Sequence, residues 1–231
     1  MPRRKKTKKP HPVLDLGVSA DRRRARRDLV WGDHGFLRAR FRNLHRISDE
    51  MWRSNQPGPR QVLAHARERG IRTIINLRGA SPKGYYLLEK EACEAVGITL
   101  IDFQVFSRDT PTSETIFAAR DLFASIEYPA LMHCKSGADR AGLMSVLYMH
   151  FRQRLPIAEA IEQLSLKYLH VKQGKTGILD FFFQTYLDFA SETPVSFSDW
   201  VKLHYDRLAV KEAFLKDFKK GIQWDAVLRR E

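Results

Sequence analysis

The sequence is poor in cysteine, because its 231 residues contain only Cys93 and Cys134. Two cysteines cannot build the disulfide framework that holds many small secreted domains together, and they do not form a zinc-binding pattern. We therefore expect a protein of a reducing, cytoplasmic compartment. The sequence predicts neither a metal site nor another cofactor.

Long apolar runs are also absent. No segment approaches the roughly 18 uncharged apolar residues that cross a membrane. The segment VLDLGVSA near the basic N-terminus is short and is interrupted by Asp15, so it predicts no secretory signal. The apolar fraction of 43% is ordinary for a globular protein. Length and composition together predict one domain with appended segments.

Positive charge is abundant but unevenly distributed. Residues 1–42 hold 14 Lys/Arg against 4 Asp, mostly in RRKKTKK (3–9) and RRRARR (22–27), and the remainder of the chain holds 26 Lys/Arg against 23 Asp/Glu. We expect residues 1–27 to form a disordered basic arm, either a solubilising tail or a segment attracted to an anionic membrane surface. Nucleic acid is disfavoured as a partner, since no aromatic residues alternate with these charges.

From residue 28 onward, strand-like and helical patterns alternate. The β-branched run at 71–79 predicts a buried parallel strand, the run at 98–105 predicts a second strand, and the run at 128–133 predicts a third strand in the core. The amphipathic stretches between them predict helices. This alternation predicts an α/β domain over residues 28–190, with a central, mostly parallel sheet flanked by helices. Residues 191–231 predict a C-terminal helical extension whose aromatic side chains pack on the domain.

The stretch LMHCKSGADRAG (131–142) places a cysteine and an arginine around small residues at a predicted strand-to-helix turn. Backbone N–H groups at such a turn, and the positive end of the following helix, converge on one anion. Cys134 is expected to be a thiolate nucleophile there, and the guanidinium of Arg140 matches two phosphate oxygens. These residues predict phosphoryl transfer to sulfur followed by hydrolysis.

The segment HCKSGADR resembles the signature of the cysteine-dependent protein tyrosine and dual-specificity phosphatases. RSNQP (53–57), IRTIINLRG and GITLIDFQVFSRDTP are similar to the upstream strands of bacterial and atypical dual-specificity members. The resemblance covers roughly residues 40–190 and implies a dual-specificity-phosphatase-like domain. It also implies that Cys134 is the nucleophile, that His133 supports the loop, and that phosphate is bound by Lys135, Ser136, Gly137, Ala138, Asp139 and Arg140.

The resemblance implies that an aspartate on a mobile loop donates a proton to the leaving group. Asp109 is favoured, 25 residues before Cys134, over Asp102, which lies inside a predicted strand. Asp139 is a second candidate, because the ending ADR resembles that of myotubularins and of some bacterial phosphatases that accept phosphoinositides. Alternatively, Asp139 caps the following helix.

Two further positions affect the predicted chemistry. The family usually has Ser or Thr after the arginine, where its hydroxyl helps the cysteine to leave, but this chain has Ala141. We therefore expect slow breakdown of the phosphoenzyme. Cys93 is expected to be a buried packing residue or, alternatively, a reversible disulfide partner of Cys134.

The favoured substrate is a lipid or sugar phosphate at an anionic membrane surface, with the protein held peripherally at the inner face of the membrane. This hypothesis rests on Lys135, Asp139 and the basic arm; Lys172 and Lys175 either add charge beside the site or lie in a solvated loop. The alternatives are a phosphatase acting on phosphoproteins, an RNA 5′-phosphatase and a non-catalytic phosphate-binding module.

Overall fold

A computed structural model describes residues 14–33 and 35–228 of the chain. A five-stranded sheet lies at the centre, with the strand order β1-β2-β5-β3-β4. The first strand is antiparallel to the second and all other neighbours are parallel, which confirms the predicted mostly parallel sheet. The strands are β1 (His45–Arg46), β2 (Met51–Asn55), β3 (Thr73–Asn76), β4 (Thr99–Asp102) and β5 (Ala130–Cys134).

Helices cover both faces of the sheet, as predicted. They are α1 (Ser19–Arg27), α2 (Gly35–Arg40), α3 (Pro59–Arg69), α4 (Gly84–Ala95), α5 (Ser113–Ser125), α6 (Asp139–Phe151), α7 (Ile157–Ala160), α8 (Ile178–Glu192), α9 (Phe197–Leu203) and α10 (Arg207–Leu228). One face carries α1, α3 and α4, and the other carries the helices from α5 onward.

Alternation along β5 divides the core into two clusters. Leu131 packs with Ile74 and Cys93 on the α3–α4 face, whereas Met132 and Cys134 belong to the larger cluster on the other face. The two cysteines therefore lie on opposite faces of the sheet, and the disulfide alternative is wrong. Burial raises the pKa of the Cys93 thiol to about 12, so this side chain is a packing residue.

Residues 14–33 are folded against the domain, so the prediction of disorder over 1–27 is wrong for α1. Ala25 is fully buried against α4, and Arg22 donates to both carboxylate oxygens of Glu91, at 3.0 and 2.5 Å. The backbone N–H of Gly84 donates to Asp28 Oδ2 at 2.8 Å. Local composition predicts disorder here because these partners are more than 55 residues away in sequence. Residues 1–13 lie outside the described residues.

The chain is irregular after α6. The segment PIAEAIEQLSLKY does not form a single helix, since α7 ends at Ala160 and is followed by 3-10 turns at Ile161–Gln163 and Leu166–Tyr168. The predicted C-terminal helices are present as α9 and α10. Trp200 and Phe214 are buried, and Tyr205 and Phe218 pack against the larger cluster. Trp224 lies outside the residues whose side chains are described.

No helix within residues 14–33 and 35–228 is long and apolar enough to cross a membrane.

The docking of α1 depends on close approach at Gly84. A Cβ atom added there would lie 2.3 Å from the carbonyl oxygen of Ala25. We therefore expect Gly84→Ala to displace α1 and to accelerate tryptic cleavage at the arginines of α1 by about tenfold. Mass mapping of the fragments measures this rate. Gly174→Ala is the control, because the nearest atom there lies at 3.7 Å, and equal cleavage of both variants contradicts the prediction.

Candidate active site

The loop of residues 135–138 connects β5 to α6 at the carboxyl edge of the parallel strands, where ligands bind in open α/β sheets. Cys134 ends β5 and is almost completely buried. Its sulfur accepts a hydrogen bond from the backbone N–H of Gly137 at 3.2 Å. The loop therefore curls around the sulfur, and the start of α6 follows directly.

Gly137 is required by both conformation and space. Its φ is +76°, which side-chain-bearing residues rarely adopt. A Cβ atom here would lie 2.7 Å from the backbone of Ser54 and Asn55 at the end of β2. The glycine thus lets the loop pack directly against the neighbouring strand.

Arg53, a residue to which the sequence analysis assigned no role, contacts the buried side of the loop. Its Nη2 donates to the carbonyl oxygens of Gly137 and Ala138 at 2.9 and 2.8 Å, and its Nη1 donates to that of Gln163 at 2.7 Å. The guanidinium lies 4.1 Å from the ring centroid of Tyr168. Burial lowers the pKa of Arg53 to about 10, so it stays charged at neutral pH.

His133 lies beneath the loop and is fully buried. Its Nε2 lies 2.8 Å from Oε1 of Glu89, also fully buried, although the contact is not aligned as a hydrogen bond. The other carboxylate oxygen of Glu89 accepts from Gln56 at 2.6 Å, and Gln56 accepts from Arg78 at 2.8 Å. These buried contacts connect β5 to α4, and the supporting role of His133 stays a prediction.

The N-terminal segment contributes to the rim of the site. Asp33 accepts two hydrogen bonds from Arg78, each of 2.8 Å, and lies 3.8 Å from the ammonium of Lys135 in the loop. Arg78 also stacks on Tyr85 at 3.7 Å. Charge patterning along the chain gave no indication that an acidic residue from this segment reaches the loop.

Asp139 is held by a buried histidine. Nδ1 of His170 lies 2.8 Å from Asp139 Oδ1, and Nε2 lies 2.6 Å from Asp180 Oδ2. Burial lowers the pKa of His170, but the hydrogen bonds to the two carboxylates outweigh it and raise the pKa to about 9. At neutral pH an imidazolium therefore donates to both carboxylates.

The other acid candidates have different surroundings. Asp109 is bound by α10: Arg207 donates to its carboxylate at 2.5 Å, and Lys211 lies 3.1 Å away. Asp102 is held at the end of β4 by Asn76 at 2.8 Å and by Tyr86 at 2.6 Å.

The remaining predicted positions differ in their contacts. No hydrogen bond or ion pair to another described residue engages the guanidinium of Arg140, in the first turn of α6. Ala141 is fully buried and has no hydroxyl to offer. Lys172 lies 3.4 Å from Asp180, and Lys175 begins a 3-10 turn. Among the described residues, no cluster of three His, Cys, Asp or Glu side chains could hold a metal ion.

The model of the family described as "DSP-PTPase phosphatase fused to NAD+ Kinase" matches residues 43–178. The chain belongs to this family. It is a cysteine-dependent phosphatase of the dual-specificity type, as the resemblance implied. The match begins after the N-terminal segment that carries Asp33. It ends at the first residue of α8, so the rest of α8 and all of α9 and α10 lie outside it.

Solved structures share the fold of this phosphatase. P. aeruginosa TpbA is 19% identical with a TM-score of 0.53, covering 74% of this chain and 92% of TpbA. A TpbA variant in complex with pTyr has a TM-score of 0.50 and is 19% identical, and the match covers 73% of this chain and 90% of the variant. The active form of Tk-PTP has a TM-score of 0.50 and is 17% identical, and the match covers 62% of this chain and 97% of Tk-PTP. No curated protein is a significant match to the chain.

Replacement of Arg53 tests the support of the loop. Arg53→Met removes the donors to two buried carbonyl oxygens and one partly buried carbonyl oxygen, so we expect the free energy of unfolding to fall by about 3–5 kcal/mol. Urea denaturation measures this loss. The control is Arg72→Met at an exposed position, which should change stability by less than about 0.5 kcal/mol. If the two variants unfold at the same urea concentration and with the same dependence on urea, Arg53 does not hold the loop.

Proposed function

We propose that this phosphatase hydrolyses phosphomonoesters through a cysteinyl-phosphate intermediate on Cys134. The observation that carries the proposal is the loop that curls around the Cys134 sulfur, with the Gly137 N–H directed at it. The thiolate attacks phosphorus, the bond between phosphorus and the leaving oxygen breaks, and an acid protonates that oxygen. Water then cleaves the sulfur–phosphorus bond, which releases inorganic phosphate and regenerates the thiolate.

Arg140 is assigned the role of phosphate clamp, together with the backbone of residues 135–140. A guanidinium forms two parallel hydrogen bonds to phosphate oxygens and stabilises the charge that they carry in the transition state. Its freedom from other described partners supports this role. Because Ala141 provides no hydroxyl, we infer that hydrolysis of the cysteinyl-phosphate is slow relative to its formation.

Asp109 is assigned as the general acid. The contacts of His170 argue against Asp139, because release of the Asp139 carboxylate would leave one side of this fully buried ring without its partner. Asp109 lies between β4 and α5, and its partners Arg207 and Lys211 have side chains 35% and 37% exposed. Ion pairs this exposed contribute little energy, so the carboxyl group is able to leave them, take up a proton and donate it to the leaving group of the substrate.

A lipid phosphate presented in an anionic membrane is the proposed substrate class. Asn43 donates to the backbone of both Ser136 and Tyr168, so two segments next to the loop carry the exposed Phe41, Leu166 and Leu169. Phe106 and Trp31, also exposed, lie on the segments that follow β4 and α1. Exposed apolar side chains interspersed with cations such as Lys135 and Lys167 suit an anionic bilayer surface.

Phosphate release without added metal tests the substrate class. The panel contains phosphoinositides and phosphatidylglycerophosphate in anionic vesicles, a soluble sugar phosphate, a phosphotyrosine peptide and 5′-phosphorylated RNA. We expect kcat/KM for a vesicle lipid to exceed that for the others by at least about tenfold, which is about 1.4 kcal/mol of transition-state binding. Cys134→Ser should abolish turnover.

Each other outcome of this assay has a meaning. Preference for the peptide, the sugar phosphate or the RNA identifies that class and overturns the lipid proposal. Activity no greater than that of Cys134→Ser identifies a phosphate-binding module. Leu166→Ser with Leu169→Ser should weaken vesicle binding, whereas the exposed residues of the C-terminal extension provide the control variants Leu203→Ser and Leu208→Ser.

Dependence on the leaving group tests the acid. Asp109→Asn should lower kcat/KM for an alkyl phosphate by about 10²–10⁴-fold, because the alkoxide needs a proton. The loss should be much smaller for p-nitrophenyl phosphate, whose leaving group departs without one. The matched variant is Asp139→Asn. A leaving-group-dependent loss in that variant instead of Asp109→Asn would reverse the assignment.

A further inference from the structure

His170 is a fully buried side chain that connects the phosphate loop to α8. Both ring nitrogens face carboxylate oxygens, at 2.8 Å from Asp139 and at 2.6 Å from Asp180. Such a pair of short contacts accounts for both N–H groups of an imidazolium. The neutral ring has only one N–H and would leave one carboxylate facing a lone pair.

Asp139 presents an electrostatic problem that this arrangement solves. It is the residue before the proposed clamp Arg140, at the N-terminus of α6, where a phosphate dianion is proposed to bind. Two like charges a few ångströms apart repel each other, more strongly where protein excludes water. An ionised Asp139 without a partner would therefore oppose the binding of phosphate.

We propose that His170 is a positioning residue that neutralises and orients Asp139, so that the loop accepts a phosphate dianion. The proposal rests on the proposed function, because it deepens the account of the same site. Asp180 completes the arrangement by holding the second N–H of the ring, which leaves the first directed at Asp139.

The charged groups around the imidazolium come from several elements. Asp139 lies on α6, Asp180 lies on α8, and the ammonium of Lys172 lies 3.4 Å from the second oxygen of Asp180. From the opposite side, the charge of Arg53 interacts with that of Asp139. The ring thus lies between two carboxylates that each have a further cation nearby.

The arrangement predicts a pH dependence of phosphate binding. Burial lowers the pKa of His170 and the two hydrogen-bonded carboxylates raise it, to about 9 in balance. The imidazolium is therefore present throughout the neutral range and is lost as the pH rises through about 9. Inorganic phosphate is already a dianion well below that pH, so its own titration does not explain weaker binding above it. Movement of this limit in Asp180→Asn distinguishes loss of charge on His170 from loss of charge on Arg53, whose pKa is about 10.

The test is the affinity of the full chain carrying Cys134→Ser for inorganic phosphate, measured by calorimetry at neutral pH. Adding His170→Gln should raise the Kd by about tenfold, which corresponds to about 1.4 kcal/mol. Adding Asp139→Asn to that protein should restore the Kd to within about twofold, because the uncompensated charge is then gone. His150→Gln is the control, since His150 is half-buried near the opposite end of α6.

Recovery of the Kd separates neutralisation of Asp139 from a purely structural role of His170, because Asp139→Asn cannot replace a packing contact that His170→Gln has lost. An unchanged Kd in His170→Gln, or no rescue, overturns the proposal. If His170→Gln does not fold, two measurements replace it. Phosphate binding by the parent protein should weaken above about pH 9, and Asp180→Asn should move this limit to lower pH; a flat profile in either case overturns the proposal.

The two proposals fail in different ways. Turnover by the natural sequence without rescue in the binding cycle overturns only the role of His170. Rescue in the binding cycle without turnover by the natural sequence overturns only the proposed function. Absence of phosphate binding by the parent protein overturns both.

Discussion

The loop around Cys134 depends on a buried arginine. The Gly137 N–H is directed at the Cys134 sulfur, and the carbonyl groups of Gly137 and Ala138 point into the protein, where they need donors. Arg53 supplies donors to two of these carbonyl groups from one planar side chain and also contacts Gln163 behind the loop. A lysine would not have this fork of donors, and an apolar residue would leave buried acceptors unsatisfied. The buried side of the proposed anion site is therefore held by one residue of β2.

Cationic side chains lie around this loop. Arg53 lies beneath it, Arg140 follows it, and the proposed role of His170 is to compensate for the one carboxylate within it. Arg53 and His170 are held by partners from different parts of the fold, namely Tyr168 for Arg53 and Asp180 for His170. The site is thus an arrangement of compensated charges rather than a simple excess of positive charge.

Segments outside the family match also reach this edge of the sheet. Asp33 precedes the matched region and contacts Arg78 and Lys135, and Asp180 follows it. On α10, Arg207 and Lys211 bind Asp109, the proposed acid. The additions at both ends of the chain therefore contact the rim of the site and the loop of Asp109, while the matched region holds the proposed nucleophile and the proposed clamp.

The α/β class, the mostly parallel sheet, the two C-terminal helices and membership of the phosphatase superfamily could be predicted from the sequence. These features are local: the strands and helices follow from hydrophobic periodicity, and the loop signature is eight consecutive residues, from His133 to Arg140. The positions of Arg53, His170 and Asp180, the packing of α1 and the separation of Cys93 from Cys134 became visible only in the folded chain. Those depend on contacts between distant residues, and a charged residue looks the same in sequence whether it is solvated or buried opposite a partner.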